Sequence, residues 1–449
     1  MERTEGRADI SPRLLRIAEL TRKHPEGAHT TLAHHIDVEF LKEAYRRTRK
    51  DGAVGVDGQR AADYAANLEG NLADLLERLK SGRYYAPPVR RVHIPKGDGR
   101  KTRPIGIPGF EDKVLQRAVT MVLGAVYEPQ FIEGSYGFRP GRSAHDALEA
   151  LWKSTMDVRG GWVIEADIES FFDRLDHRRL REFLDKRVRD GVIRRVIDKW
   201  LSAGVLEHGE LSYPDEGSPQ GGVVSPMLAN IYLHEVLDVW FEREVKPRLL
   251  GSAQLIRYAD DFVIVFERER DAVRVMDVLP KRFGKYGLTL HPDKTRIVAF
   301  NRPDDGHGER ARTRQRGAFD FLGLTHHWGR SQKGRPTVKR KTAKNRLSRA
   351  VKRVQQFCRR NRHRSLAEQH QALVQKLRGH YGYYGITGNM RALSAFRQAV
   401  LRVWRYWLDR RGGKGRMTWD RFADVLERHE LPQPRIVHSA LRLAANPSH

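Results

Sequence analysis

Apolar residues along this chain follow two rhythms, and the switches between them mark out most of its elements. From Val38 the spacing is helical, with Phe40, Leu41, Ala44 and Tyr45 on one face. Leu68, Leu72, Leu75, Leu76 and Leu79 repeat the pattern, and Gly82 is placed to end that helix. Strands are predicted at Val89–Ile94 and Pro104–Ile107, joined by a turn rich in Gly, Lys and Arg, so the two form a hairpin with a basic tip. A mostly apolar helix follows from Glu111 to Tyr127, and the loop Ser135–Ser143 leads into another. Trp162–Ile168 reads as a strand, Gly217–Gly222 as a loop and Val224–Trp240 as an apolar helix. Two short strands then flank Asp260-Asp261, a helix spans Asp271–Tyr286, and Gly287–Leu290 enters a further strand. Later helices are expected over Leu366–Arg378 and Arg391–Leu408, the second lined by Leu393, Phe396, Val400, Val403, Trp404 and Trp407. The first thirty or so residues carry no clear period and read as loosely organised.

Hairpins among alternating helices imply an α+β fold with an antiparallel sheet rather than a doubly wound one. The 449 residues suffice for two or three domains. Composition changes after Leu324: no acidic residue occurs between Asp320 and Glu368, while Lys and Arg are dense. The expected division is 1–75, 76–326 and 327–449. The formal net charge of +27 favours a polyanionic partner, nucleic acid first. No long apolar run or lipidation signal supports a membrane. Cys358 is the only cysteine, which excludes disulfides and Cys-based zinc sites within one chain and fits a reducing cytoplasm. The polar start, Met1–Ser11, shows no secretory signal.

The candidate chemistry centres on Asp260 and Asp261. A bare Asp-Asp pair in a loop is ordinarily a solvated turn. Here apolar strands flank it, and Asp167 ends a separate strand that can converge on it. Clustered carboxylates are costly unless cations neutralise them, and Mg²⁺ is the natural partner for such oxygens. Two ions held this way are a standard device for nucleotidyl transfer. Phe172, five residues beyond Asp167, is either core or a wall beside a nucleotide sugar. Arg90, Arg91, Lys96 and Arg103 on the basic hairpin suit triphosphate oxygens. In Ser218-Pro219-Gln220-Gly221-Gly222 the glycines permit close approach to a ligand, ahead of a helix N-terminus. In the acid-free segment Lys339, Arg340, Lys341, Lys344, Arg346, Arg349, Lys352 and Arg353 could track a phosphate backbone. The pairs His34-His35 and His326-His327 lack metal-site spacing.

Taken in order, these motifs resemble one family. Tyr258-Ala259-Asp260-Asp261 is similar to the signature of reverse transcriptases. Ile94-Pro95-Lys96, Asp167–Asp173, Ser218–Gly222, Gly287–Thr295 and Phe319–Gly323 follow the family order. Leu377–Asn389 resembles the thumb, or maturase, region of bacterial group II intron-encoded proteins, and the likeness runs from about Val38 to Glu427. The resemblance implies a right-hand polymerase: fingers, a palm with an antiparallel sheet, and a helical thumb/maturase domain. It implies that Asp167, Asp260 and Asp261 bind two Mg²⁺ ions (Mn²⁺ as a substitute), with the backbone of Ile168 as a further ligand. It implies that Lys96 and Arg103 hold the triphosphate and that Phe172 excludes a 2′-hydroxyl. Gln220 then lines the nucleotide pocket and Lys294 approaches the phosphates. Tyr258, Phe321, Leu322 and Gly323 fall to the primer and template, joined by Lys339, Arg340, Lys344 and Arg346. The implied partners are an RNA template, a DNA primer, dNTPs and a structured intron RNA, with monomer or dimer open.

The leading expectation is an RNA-directed DNA polymerase that also assists intron splicing and mobility. Two others stay open: a maturase acting as an RNA-binding splicing cofactor, and a domesticated reverse transcriptase of a defence or CRISPR-associated locus. A metal-dependent nuclease would leave Phe172, Gln220 and the basic hairpin unexplained. No cysteine pair follows the thumb motifs, so the endonuclease module of many relatives is not expected, nor is second-strand DNA cleavage.

Overall fold

The computed structural model describes residues 11–96, 101–159, 161–207, 209–213, 217, 221–303, 317–331, 333–411 and 416–438. In chain order the elements are helices α1 (Ser11–Lys23), α2 (Val38–Arg47), α3 (Ala61–Ala65) and α4 (Leu68–Lys80), then strands β1 (Val89–Lys96) and β2 (Lys101–Ile107). Next come α5 (Phe110–Tyr127), α6 (Ala144–Asp157), β3 (Trp162–Ala166), α7 (His177–Asp185), α8 (Gly191–Leu201), β4 (Val205–Glu207), β5 (Glu210–Ser212) and α9 (Ser225–Leu233). Then follow β6 (Ala253–Tyr258), β7 (Asp261–Phe266), α10 (Glu269–Gly284), β8 (Arg296–Ala299), β9 (Phe319–Phe321), β10 (Leu324–Arg330) and β11 (Pro336–Thr342). Helices α11 (Lys344–Arg360), α12 (Leu366–Tyr384), α13 (Met390–Leu408) and α14 (Trp419–Arg428) complete the order. The α+β expectation holds at this level: mixed helices and strands followed by a helical C-terminal region. Among the described residues no helix is long and apolar enough to cross a membrane.

The residues fall into two compact units. One takes the described residues of Met1–Ala147, Ala166–Ile264 and Arg270–Arg296; the other those of Leu148–Glu165, Val265–Glu269 and Ile297–His449. In the first, α5 is the central helix. Val114, Leu115, Ala118, Val119, Val122 and Leu123 are all fully buried, and α1, α2 and α9 pack on it. Asp190 ties this unit together. It caps α8 by accepting from Val192 N and Ile193 N, both at 2.9 Å. Its other oxygen takes Leu32 N at 2.6 Å and Ala33 N at 2.9 Å. Burial pushes against that charge, but four amide donors win and hold the carboxyl below its usual range.

The basic hairpin is as expected, with β1 antiparallel to β2 and paired Ile94 to Arg103. It extends through β4 and β5 into a sheet of order β2-β1-β4-β5. In the other unit β9, β10 and β11 form an antiparallel sheet, and α11 and α12 both contact α13. The core there gathers Leu373, Leu377, Leu393, Phe396, Val400 and Trp404. On α13 the expected stripe is buried apart from Val403 and Trp407, which are only partly so.

Three expectations need correction. The N-terminal stretch is not loose from Ser11 onward: α1 forms there, hidden in the sequence because only Ile17 and Thr21 of its arginine-rich length are buried. Gly287–Leu290 does not enter a regular strand. It makes one isolated bridge, Leu290 to Ile168, before Pro292, which lacks an amide donor, opens a 3-10 turn. The strand begins later, at Arg296. The apolar helix from Ser225 is α-helical only to Leu233 and then loosens into π turns at His234–Asp238 and Phe241–Val245.

Candidate active site

Strand β3 stops at Ala166, and Asp167 is the next residue. The Gly287–Leu290 segment lies against this end: His291 N donates to the Asp167 carbonyl at 2.8 Å, and Glu169 N donates to the Thr289 carbonyl at 2.9 Å. The 3-10 turn after Pro292 then brings Lys294 back, and its ammonium meets Asp167 Oδ2 at 2.5 Å. Ser170 takes a left-handed φ of 48°, and the chain turns into Phe171-Phe172. Phe171 is buried, and Phe172 is half-buried with its ring edge-on to Phe171, centroids 5.4 Å apart. Phe172 is therefore only partly core and leaves part of its ring available to a ligand.

The second carboxylate comes from the turn between β6 and β7. Ala259 adopts φ 58°, a left-handed conformation that costs a residue with a Cβ roughly 1–2 kcal/mol. Asp260 follows, half-buried, while Asp261 is exposed. Burial raises the Asp260 carboxyl above its usual range, and the negative charge of Asp167 raises it further; Arg103 and Arg257 work against the shift. Asp167 and Asp260 thus feel one another, and Arg103 of the basic hairpin reaches their field. Among the described residues no three His, Cys, Asp or Glu side chains form a ready-made metal cage. The pair still suits Mg²⁺, which keeps much of its water and takes one or two carboxylates together with substrate phosphates.

Other candidate residues are placed less simply. Lys96 closes β1, but its side chain lies outside the described residues, as do Ser218, Pro219 and Gln220. Arg90 and Arg91 both have partners within the protein. Arg90 donates twice to the Val54 carbonyl, at 3.0 and 2.7 Å, and Arg91 pairs with Glu207 at 3.5 Å. Gly217 and Gly221 of this loop pack closely against protein backbone. A Cβ on Gly221, at φ 123°, would stand 2.6 Å from the Gly106 carbonyl oxygen of β2. One on Gly217 would stand 3.0 Å from the carbonyl oxygens of Phe172 and Asp173.

The second unit carries the remaining candidates. Phe321 is buried, Leu322 and Gly323 form a positive-φ turn, and Tyr383 donates to the Leu322 carbonyl at 2.8 Å. Lys344 and Arg346 are exposed at the start of α11, and Lys339 is half-buried on β11. Arg340 corrects the expectation of a phosphate contact. It is buried, 3.6 Å from Glu149, and donates to the Leu148 carbonyl at 3.3 Å, because alternate residues of β11 face opposite sides. His326 is buried against Phe319, and burial pushes its imidazole down to about 3, so it stays neutral.

The support beneath the turn is not visible in the sequence pattern. Arg257 is completely buried and donates to Asp238, Asn230, Ser135 and the Ala259 carbonyl. Gly137 presses on the same turn: a Cβ there would stand 2.2 Å from Ala259 N. The available signal was a charge inside each of two apolar segments, Arg257 in a strand and Asp238 in a helix.

Comparisons with known proteins point to one family. The family model for reverse transcriptase (RNA-dependent DNA polymerase) matches residues 94–326. Protein YkfC of Escherichia coli is 36% identical over 296 residues, 59% of this chain and 77% of that protein. Group II intron-encoded protein LtrA of Lactococcus lactis is 41% identical over 187 residues, 40% of this chain but only 31% of LtrA. Nuclear intron maturase 2 of Arabidopsis thaliana is 27% identical over 236 residues, 43% of this chain and 30% of that protein.

Proposed function

The chain belongs to the reverse transcriptase (RNA-dependent DNA polymerase) family, in its group II intron branch, and from that premise we propose that it copies RNA into DNA at Asp167 and Asp260. The observation that supports the assignment is Lys294 Nζ at 2.5 Å from Asp167 Oδ2 where β3 ends, with the Asp167 charge raising the Asp260 carboxyl. Asp167 and Asp260 would hold two divalent ions, Mg²⁺ by preference, with Asp261 and the Ile168 backbone in support. Bound there, the ions would ease deprotonation of the primer 3′-hydroxyl and neutralise charge on the departing pyrophosphate.

The chain's own residues then divide the work. Lys294 exchanges Asp167 for a phosphate once that carboxylate is neutralised. Arg103 and Lys96 take triphosphate oxygens, Gln220 lines the base pocket, and Phe172 walls the sugar. In a right-hand arrangement, 76–326 supplies fingers and palm, 1–75 completes the fingers, and 327–449 forms the thumb. Tyr258, Phe321, Leu322, Gly323, Lys339, Lys344 and Arg346 lie along template and primer, held by shape and phosphates rather than by base edges. Arg340 is left out, for the reason given above.

Assistance to intron RNA splicing is the companion role, supported by the exposed, acid-free face at the start of α11. Primer extension on an RNA template with Mg²⁺ tests the polymerase. The protein extends, and an Asp260→Ala, Asp261→Ala variant does not; equal extension by both would sink the assignment. Splicing of a cognate intron at low Mg²⁺ should depend on added protein.

A further inference from the structure

Arg257 stands immediately upstream of the Tyr-Ala-Asp-Asp turn, yet its side chain points away from the solvent that the site opens to. It is fully buried. Its Nε donates to Asp238 Oδ1 at 2.8 Å and its Nη2 to Asp238 Oδ2 at 2.6 Å, a two-pronged pair. Nη2 also donates to Ser135 Oγ at 2.9 Å. Nη1 donates to Asn230 Oδ1 at 3.0 Å and to the Ala259 carbonyl at 3.1 Å. A guanidinium has five N–H donors, and these five contacts use all of them.

Asp238 is equally buried. Burial alone would raise its carboxyl, but the Arg257 charge, with His234 beside it, holds it below the usual range. Taking such a pair out of water costs several kcal/mol per ion, and well-packed apolar residues of similar volume commonly do as well or better. Stability therefore gives no reason to prefer this pair, whereas geometry does. Asp238 sits in the first π turn after α9, a local irregularity often found at functional sites. Asn230, one helical face earlier, both accepts from Arg257 and donates to the Gly137 carbonyl at 2.7 Å.

Each acceptor belongs to a segment that shapes the site. The Ala259 carbonyl is that of the left-handed residue before Asp260. Ser135 and Gly137 belong to the loop that presses on that turn, and this loop also pairs with the Arg257 backbone: Arg257 N donates to the Gly134 carbonyl and Tyr136 N to the Arg257 carbonyl, both at 2.8 Å. One side chain thus grips the strained turn and the loop that backs it.

We propose that Arg257 is a positioning residue whose guanidinium, fixed by Asp238 and Asn230, locks the Ala259 carbonyl and so sets where Asp260 stands. The proposal rests on the polymerase reading of that carboxylate. A lysine would keep the charge opposite Asp238 but has three donors on one atom and cannot span the acceptors.

The test compares the parent protein with Arg257→Lys and with the paired apolar replacement Asp238→Val, Arg257→Met. Each is measured at a temperature where its near-ultraviolet circular dichroism matches the parent's. The readouts are template–primer affinity by fluorescence anisotropy, Mn²⁺ binding by electron paramagnetic resonance, and single-turnover incorporation of one nucleotide. The expected result is template–primer affinity within about threefold of the parent, weaker Mn²⁺ binding, and incorporation slower by about 100-fold, the scale of a 1 Å misplacement. A folded variant of either kind that binds Mn²⁺ like the parent and incorporates within about threefold of it overturns the proposal. An inactive parent would instead sink the polymerase reading and leave the Mn²⁺ comparison to decide the role of Arg257.

Discussion

Gly137→Ala is the smallest change that should disturb the catalytic turn without touching a charge. The added Cβ would stand 2.2 Å from Ala259 N and 2.9 Å from Tyr258 C, both backbone atoms. Backbone cannot rotate aside as a side-chain tip can, so loop or turn must move by about 1 Å to reach ordinary contact. Forcing one extra carbon into a packed site costs typically 1–3 kcal/mol. A shift of that size at a reacting centre can cost about 100-fold in rate. The turn has little slack to offer, because Ala259 is already left-handed and its carbonyl is held by Arg257. The variant should therefore unfold a few degrees lower, bind template–primer normally, and incorporate a single nucleotide one to two orders of magnitude more slowly. Thermal unfolding, anisotropy and a single-turnover assay measure the three quantities. Parental stability together with a rate within twofold of the parent would refute the close packing on which this reasoning depends.

Other outcomes follow from neighbouring contacts. Lys294→Ala removes the ammonium from Asp167; since exposed ion pairs are worth about 0.2–1 kcal/mol, Mn²⁺ binding without nucleotide should tighten by no more than about fivefold while the KM for dNTP rises, and weaker Mn²⁺ binding would contradict the role given to Lys294. Asp112 is buried and accepts from Tyr84 Oη and Trp200 Nε1, and burial pushes its carboxyl up to about 7. The folded state then holds this proton more tightly than the unfolded chain, so its contribution to stability is largest in acid and declines as pH rises from about 4 to 7, by up to about 4 kcal/mol. Urea unfolding of the parent and Asp112→Asn across that range should show the decline in the parent only. Arg340→Ala should lower the unfolding temperature and leave the salt dependence of RNA binding unchanged. The paired change Lys344→Ala, Arg346→Ala should do the reverse, reducing the slope of log affinity on log salt.

Much of the site could be read from the chain because it is local. Asp167 at a strand end and Asp260 at a hairpin turn are both set by short-range pattern, and Asp261 opens a strand whose other positions are all buried. The basic hairpin was equally plain, although its register, Ile94 opposite Arg103, came only with the structure. What stayed hidden depends on contacts far apart in sequence. The sequence offers Arg90 and Arg91 to a triphosphate because nothing nearby in it shows Val54 or Glu207 meeting them. Arg340 resembled its exposed neighbours until β11 turned it toward Glu149. Gly221 also admits the backbone of β2, a contact the sequence does not show. Helix α1 escaped because two buried residues in thirteen make too faint a stripe. The network under the turn joins Ser135, Asn230, Asp238 and Arg257 across more than a hundred residues, a distance over which periodicity is silent.

The most direct test of the account separates chemistry from binding at the two carboxylates. Asp167→Asn and Asp260→Asn preserve shape and remove charge. Single-turnover incorporation of one nucleotide on an RNA template should fall by at least about 1000-fold in each, given the several kcal/mol that positioned metal charge supplies, while template–primer affinity stays within about threefold. Incorporation within tenfold of the parent by either variant would contradict the claim that Asp167 and Asp260 are the centre of a DNA-synthesising site.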